Sequence, residues 1–143
     1  MQVRVFLGAT LAAAVLLWTG PAGAKDFRPG DLRICNATRC VKIVERSLMP
    51  TIGAFYYSDG SPAKARAPRL GARAFELRFT HGYATGIVAG PRLDCFLSYG
   101  VNLGRFSRGQ WYRVPARFAA ELRRLAAPLR PLRVTATALA KSR

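Results

Sequence analysis

Cys35, Cys40, His81 and Cys95 are all the cysteine and histidine in this chain, and the first two frame the stretch CNATRC. Two cysteines with four residues between them suit a disulfide clip, a redox pair or a metal knuckle. A thioredoxin-like redox site has two intervening residues and sits between a strand and a helix, a pattern missing here. Zinc takes four ligands, so the four residues make a Cys₃His set arithmetically complete, but His81 and Cys95 lie far apart for one knuckle. An exported chain meets an oxidising environment, where paired cysteines become disulfides. The expectation is therefore a Cys35–Cys40 disulfide, no metal and no cofactor. Asn36-Ala37-Thr38 also matches the N-glycosylation sequon, a match read as accidental.

Cys95 is left over, in the apolar setting Leu93-Asp94-Cys95-Phe96-Leu97. The preferred reading is a buried, inert free thiol. A Cys95–His81 nucleophile–base pair lacks any local signature of a cysteine hydrolase. His81 is expected at a turn tip with no special role.

The carboxylates are Asp26, Asp31, Glu45, Asp59, Glu76, Asp94 and Glu121, scattered along the sequence. None of the spacings of GxSxG, HExxH or a phosphate-cradling GxxxxGK[ST] is present. No catalytic residue is assigned. A pair of acids distant in sequence would still permit glycan hydrolysis.

Basic residues dominate: 23 Lys and Arg stand against 7 Asp and Glu, for a net charge of +16. Only Lys25, Lys42, Lys64 and Lys141 are lysines; the other 19 are arginine. Together with the Ala, Gly and Pro content, this bias points to a GC-rich bacterial genome, and codon pressure can account for part of it. The stretch GRFSRGQWYRVPARF, residues 104–118, interleaves Arg105, Arg108, Arg113 and Arg117 with Phe106, Trp111, Tyr112 and Phe118. Guanidinium groups bind phosphate and carboxylate in a bidentate fork and stack on aromatic faces. These four arginines are the candidate anion-binding residues. The aromatics are read as core, which leaves the charge as an attractive field for anions.

The first 24 residues set the address. Arg4 is a positive charge near the start, Val5 to Trp18 is an apolar run of 14 residues, and Ala22-Gly23-Ala24 offers small residues for cleavage. This is the layout of a secretory signal peptide. The run is shorter than the roughly 20 residues of a membrane-spanning helix, though retention as an N-terminal anchor is the competing reading. Cleavage after Ala24 would leave 119 residues, and losing Arg4 would leave a net charge of +15. That length suits one domain. No later apolar run is long enough to span a membrane, and an intracellular nucleic-acid role conflicts with export.

The elements that must position these residues follow from pattern. Leu32 to Ile34 and Cys40 to Val44 are strand material around the hairpin loop 36–39. If the two cysteines form a non-hydrogen-bonded pair, their Cα atoms lie roughly 4.5 Å apart, within disulfide range. Leu48, Ile52, Phe55 and Tyr56 have helical spacing, with Ser47 able to cap and Pro50 tolerated in the first turn. Residues 58–71, SDGSPAKARAPRLG, read as an exposed loop. Phe75, Leu77 and Phe79 alternate with Glu76, Arg78 and Thr80 as a half-buried strand, turning at His81-Gly82 and returning through 83–89. Residues 96–103 and 110–114 are further strands. Pro115 fits the first position of a helix over 115–127, with Phe118, Leu122 and Leu125 on one face and Glu121 able to pair with Arg117 or Arg124. Residues 132–137 are expected to form an edge strand and 138–143 a frayed tail.

The resulting expectation is a small α+β domain over 25–143, an antiparallel sheet of hairpins with one C-terminal helix packed on it. In function it is expected to be an exported, non-catalytic module for anionic envelope polymers or an anionic membrane surface. A small enzyme acting on an envelope component is the second class.

Overall fold

The computed structural model describes residues 28–80, 86–99 and 105–140. The signal-like segment, His81 and the turn around it lie outside the described residues. The fold is the expected α+β class: an antiparallel sheet with helices, its strands being β1 (Leu32–Cys35), β2 (Cys40–Lys42), β3 (Arg73–Phe79), β4 (Gly86–Ala89), β5 (Cys95–Ser98), β6 (Trp111–Arg113) and β7 (Leu132–Arg133). The strand order is β2-β1-β3-β4-β5-β6, with β7 also paired to β3. β4 takes one edge of β3 across 74–77, while β1 and β7 pair with residues 76–79 and 73–74. β7 therefore continues the line of β1 along the other edge.

The alternation of strand side chains divides the core into two clusters. Leu32, Ile34, Phe75, Leu77, Val88, Phe96 and Tyr112 meet the helices α1 (Met49–Tyr57) and α2 (Ala116–Ala126). Ala74, Ala89, Leu97 and Trp111 face the other way, towards Val134 and the short helix α3 (Ala136–Ala140). Helix α1 is apolar along most of its length and buries Met49, Ile52, Phe55 and Tyr56. Helix α2 is amphipathic and buries Phe118, Ala119, Leu122 and Ala126. Phe55 is the hub of an aromatic cluster, with ring centroids 5.3 Å from Phe96, 5.1 Å from Phe106 and 6.0 Å from Phe118. The edge-on pairs, Phe55–Phe96 and Phe55–Phe118, add about 0.5–1.5 kcal/mol each beyond area burial.

Several local expectations are corrected. Ser47 is not the cap: the Glu45 carboxylate caps a 3₁₀ turn, Arg46–Leu48, accepting from the Ser47 N–H and hydroxyl. Those bonds hold the Glu45 carboxyl below its usual range, with Arg124 and Arg117 adding charge attraction. Pro115 stands one residue outside α2, with φ −53° and ψ 138°. Of the two partners open to Glu121, it takes Arg124, through both carboxylate oxygens. Loop 58–71 is not wholly exposed. Pro62 is buried, and 63–65 run beside β6, where Ala65 N–H donates to Trp111 O and Arg113 N–H to Ala63 O. Covering the β6 edge in this way blocks strand addition there. Strand β7 stops after two residues, and 136–140 are helical where strand and frayed tail were expected.

Candidate functional site

The hairpin answers the question raised by CNATRC. Cys35 and Cys40 are register partners and form a disulfide with Cα atoms 4.0 Å apart. The loop closes because Asn36 N–H donates to Arg39 O, while Asn36 Oδ1 accepts from the N–H groups of Thr38 and Arg39. Asparagine does this readily because its side chain mimics a backbone turn. With both sulfurs in a disulfide, no thiolate pair remains there for zinc. Among the described residues no cluster of metal-ligating side chains occurs.

Cys95 is free and half-buried, less enclosed than the inert core thiol expected from its neighbours. Burial pushes its thiol upward, and Asp94 adds to the shift by charge and hydrogen bond, with Arg113 opposing. A raised thiol pKa favours the protonated, weakly nucleophilic form.

The four arginines chosen from residues 104–118 do not form one cluster. Arg105 and Arg113 line an open cleft of about 970 Å³ beside α1 and α2. Arg108 lies elsewhere, at a depression it shares with Tyr99 and Thr135. Arg117 donates to the Ser47 hydroxyl at 3.0 Å. The cleft instead recruits Arg92 and Arg123, so among the described residues four arginines from four separate segments line it together with one carboxylate, Asp94. Phe106, Trp111, Tyr112 and Phe118 are all core residues, as read from the sequence.

Two of the cleft arginines are anchored by side-chain hydrogen bonds. Arg105 Nη1 donates to Ala54 O at 2.9 Å, in the last turn of α1, where a cation is favoured by the helix dipole. Its Nε is shielded from solvent and has no acceptor among the described residues. Arg123 Nη1 donates to Arg92 O at 2.8 Å, so α2 is tied to the turn between β4 and β5. That turn is unusual. Leu93 has φ 52°, a left-handed conformation that costs a bulky residue roughly 1–2 kcal/mol. Its side chain is fully buried in the core, which offsets the strain by a similar or larger amount, about 1.5–3 kcal/mol. The buried Leu93 thus fixes the turn that carries exposed Arg92. Arg113 ends β6, opposite Cys95 in register.

Sequence reasoning missed Arg92 and Arg123 because nothing in their local surroundings distinguishes them. They come together only through the β4–β5 turn and the docking of α2. Comparison with protein-family models, with curated proteins and with solved structures finds no match to this chain.

Proposed function

We propose that this chain is an exported, non-catalytic module that binds anionic polymers or anionic surfaces through charge. The observation that carries the reading is the convergence of Arg92, Arg105, Arg113 and Arg123 on one open cleft, with Asp94 the one lining carboxylate among the described residues. Guanidinium forks donate two parallel hydrogen bonds to phosphate, sulfate or carboxylate oxygens. An open cleft suits a chain passing through better than a small molecule held on all sides. The net charge, +15 once Arg4 is lost from the +16 of the whole sequence, supports the same reading by drawing anions in from a distance. Glycan hydrolysis needs two carboxylates across one site, and among the described residues Asp94 alone lines this cleft as a carboxylate. Among the described residues no helix is long and apolar enough to cross a membrane.

Export rests on the layout of residues 1–24, and mass spectrometry of the envelope or extracellular fraction should find a chain beginning at Lys25. The binding reading is tested by replacing Arg92, Arg105, Arg113 and Arg123 with Gln and comparing affinity for polyphosphate with a control set. Exposed Arg28, Arg46, Arg69 and Arg130 provide that control. Both sets remove the same charge, so equal losses would assign binding to net charge alone and remove the cleft from the account. A markedly larger loss in the cleft set is expected.

A further inference from the structure

On the sheet face away from α1 and α2, a second concentration of charge is built by register. Arg33 is the direct partner of Lys42 on β2 and of Arg78 on β3. Three cations therefore stand in one row across three adjacent strands. Directly opposed side chains have Cβ atoms about 4.5–5.5 Å apart, and like charges so placed repel. The usual remedy is a carboxylate among them. Asp31, two residues before Arg33 and just outside β1, accepts from Arg28 N–H through Oδ2, and Glu76, two residues along from Arg78 on the same face, is already engaged. Arg78 Nη2 donates to it at 2.6 Å, and the Tyr99 hydroxyl is hydrogen-bonded to it as well. Among the described residues neither Arg33 nor Lys42 has a carboxylate partner. Arg33 Nε is also shielded from solvent, with no acceptor among the described residues.

The disulfide has a part in this. Cys35 pairs with Cys40 two residues along from the Arg33–Lys42 pair, on the same face. A one-residue slip of β2 would turn Lys42 to the other face. The covalent clip forbids that slip and holds the like charges together.

We propose that the Lys42–Arg33–Arg78 row is a second oxyanion site, and that with the arginine cleft it lets one molecule bridge two chains of a linear polyanion. This rests on the cleft reading given above. The row lies on β2, β1 and β3, and the cleft beside β6, at the other end of the sheet. From β1 to β6 is four strand spacings, about 19 Å. That exceeds the Debye length of about 8 Å at physiological salt, so the two sites do not act as one field on a small anion. A polymer chain at each end satisfies both.

Tripolyphosphate, too short to span the two sites, and long polyphosphate or polygalacturonate provide the test. Calorimetry on the wild type should find about two tripolyphosphate sites, and the long polymers should scatter light as cross-linked particles that excess polymer redissolves. Replacing Lys42, Arg33 and Arg78 with Gln should leave one site and abolish scattering, while exposed Arg28, Arg69 and Arg130 replaced together should change neither. Arg33 is partly enclosed, so Lys42→Glu is the second variant. It places a carboxylate opposite Arg33, should raise the unfolding temperature by removing repulsion, and should also leave one site. A wild type with one site that persists unchanged in both row variants would overturn the proposal. A cleft variant that keeps both sites would overturn the cleft reading while leaving the row intact.

Discussion

Arg123 on α2 hydrogen-bonds through Nη1 to the backbone carbonyl of Arg92 at 2.8 Å, so one cleft arginine holds the turn that presents another. Replacing Arg123 with Gln should cost about 0.5–1.5 kcal/mol of stability, the value of one such hydrogen bond, together with polyanion affinity. Arg123→Lys keeps the charge but loses the planar fork. Lys should therefore recover part of the long-range attraction without the full affinity. Chemical denaturation and a polyphosphate titration of both variants measure the two effects, and a Lys variant as tight as wild type would show that the fork is not used.

Gly86 faces Ser98 in register and packs under Phe96. A Cβ at this position would run into the Phe96 ring and stand 2.8 Å from Leu97 O. Neither the enclosed ring nor the strand backbone can yield freely. Gly86→Ala is expected to destabilise the domain by about 1–3 kcal/mol, the usual cost of overpacking, read as a lowered denaturation midpoint. An unchanged midpoint would mean that the ring has room to move.

The disulfide closes a short loop, so it stabilises modestly. Cys35→Ser with Cys40→Ser should lose about 2 kcal/mol on the chain-entropy account. Peptide mapping without reduction should recover Cys35 and Cys40 in one linked peptide, with Cys95 alkylated separately. A Cys95 link to either partner would contradict the structure.

Cys95 supplies a pH dependence. Its folded-state pKa is raised, chiefly by burial. The folded protein then binds the thiol proton more tightly than the unfolded chain does. This contribution to stability is fully present below the unfolded cysteine's pKa and is lost as pH rises through the folded value. At pH 7 iodoacetamide should label Cys95 more slowly than a peptide cysteine, and labelling should accelerate at alkaline pH. Labelling at the peptide rate at neutral pH would contradict the shift.

Short-range signals in the sequence carried much of the architecture. The alternation of Phe75, Leu77 and Phe79 located β3, Asn36 marked the loop of the clip, and the i, i+4, i+7 spacing of Phe118, Leu122 and Leu125 located α2. Long-range relationships were not legible. The pairing of 63–65 with β6 depends on backbone bonds, which no side-chain pattern reports. The helical end at 136–140 follows a β7 that stops after two residues, against the β-branched content of Val134, Thr135 and Thr137. For the site, Arg105 and Arg113 were found because they lie in one basic and aromatic stretch. Arg92 and Arg123 enter from a strained turn and a helix face, and the row of Lys42, Arg33 and Arg78 exists only once strand register is set.

The central claim, charge-driven binding through an arginine cleft, is tested most directly by the salt dependence of affinity for a labelled DNA duplex used as a polyanion probe. Each phosphate neutralised contributes roughly −0.9 to the slope of log affinity against log salt. The wild type is expected to show a steep negative slope. The Arg92, Arg105, Arg113 and Arg123 to Gln variant should show a slope shallower by several units and weaker binding at every salt concentration, with the Arg28, Arg46, Arg69 and Arg130 control close to wild type. A flat slope for the wild type, or cleft and control variants that cannot be told apart, would contradict it.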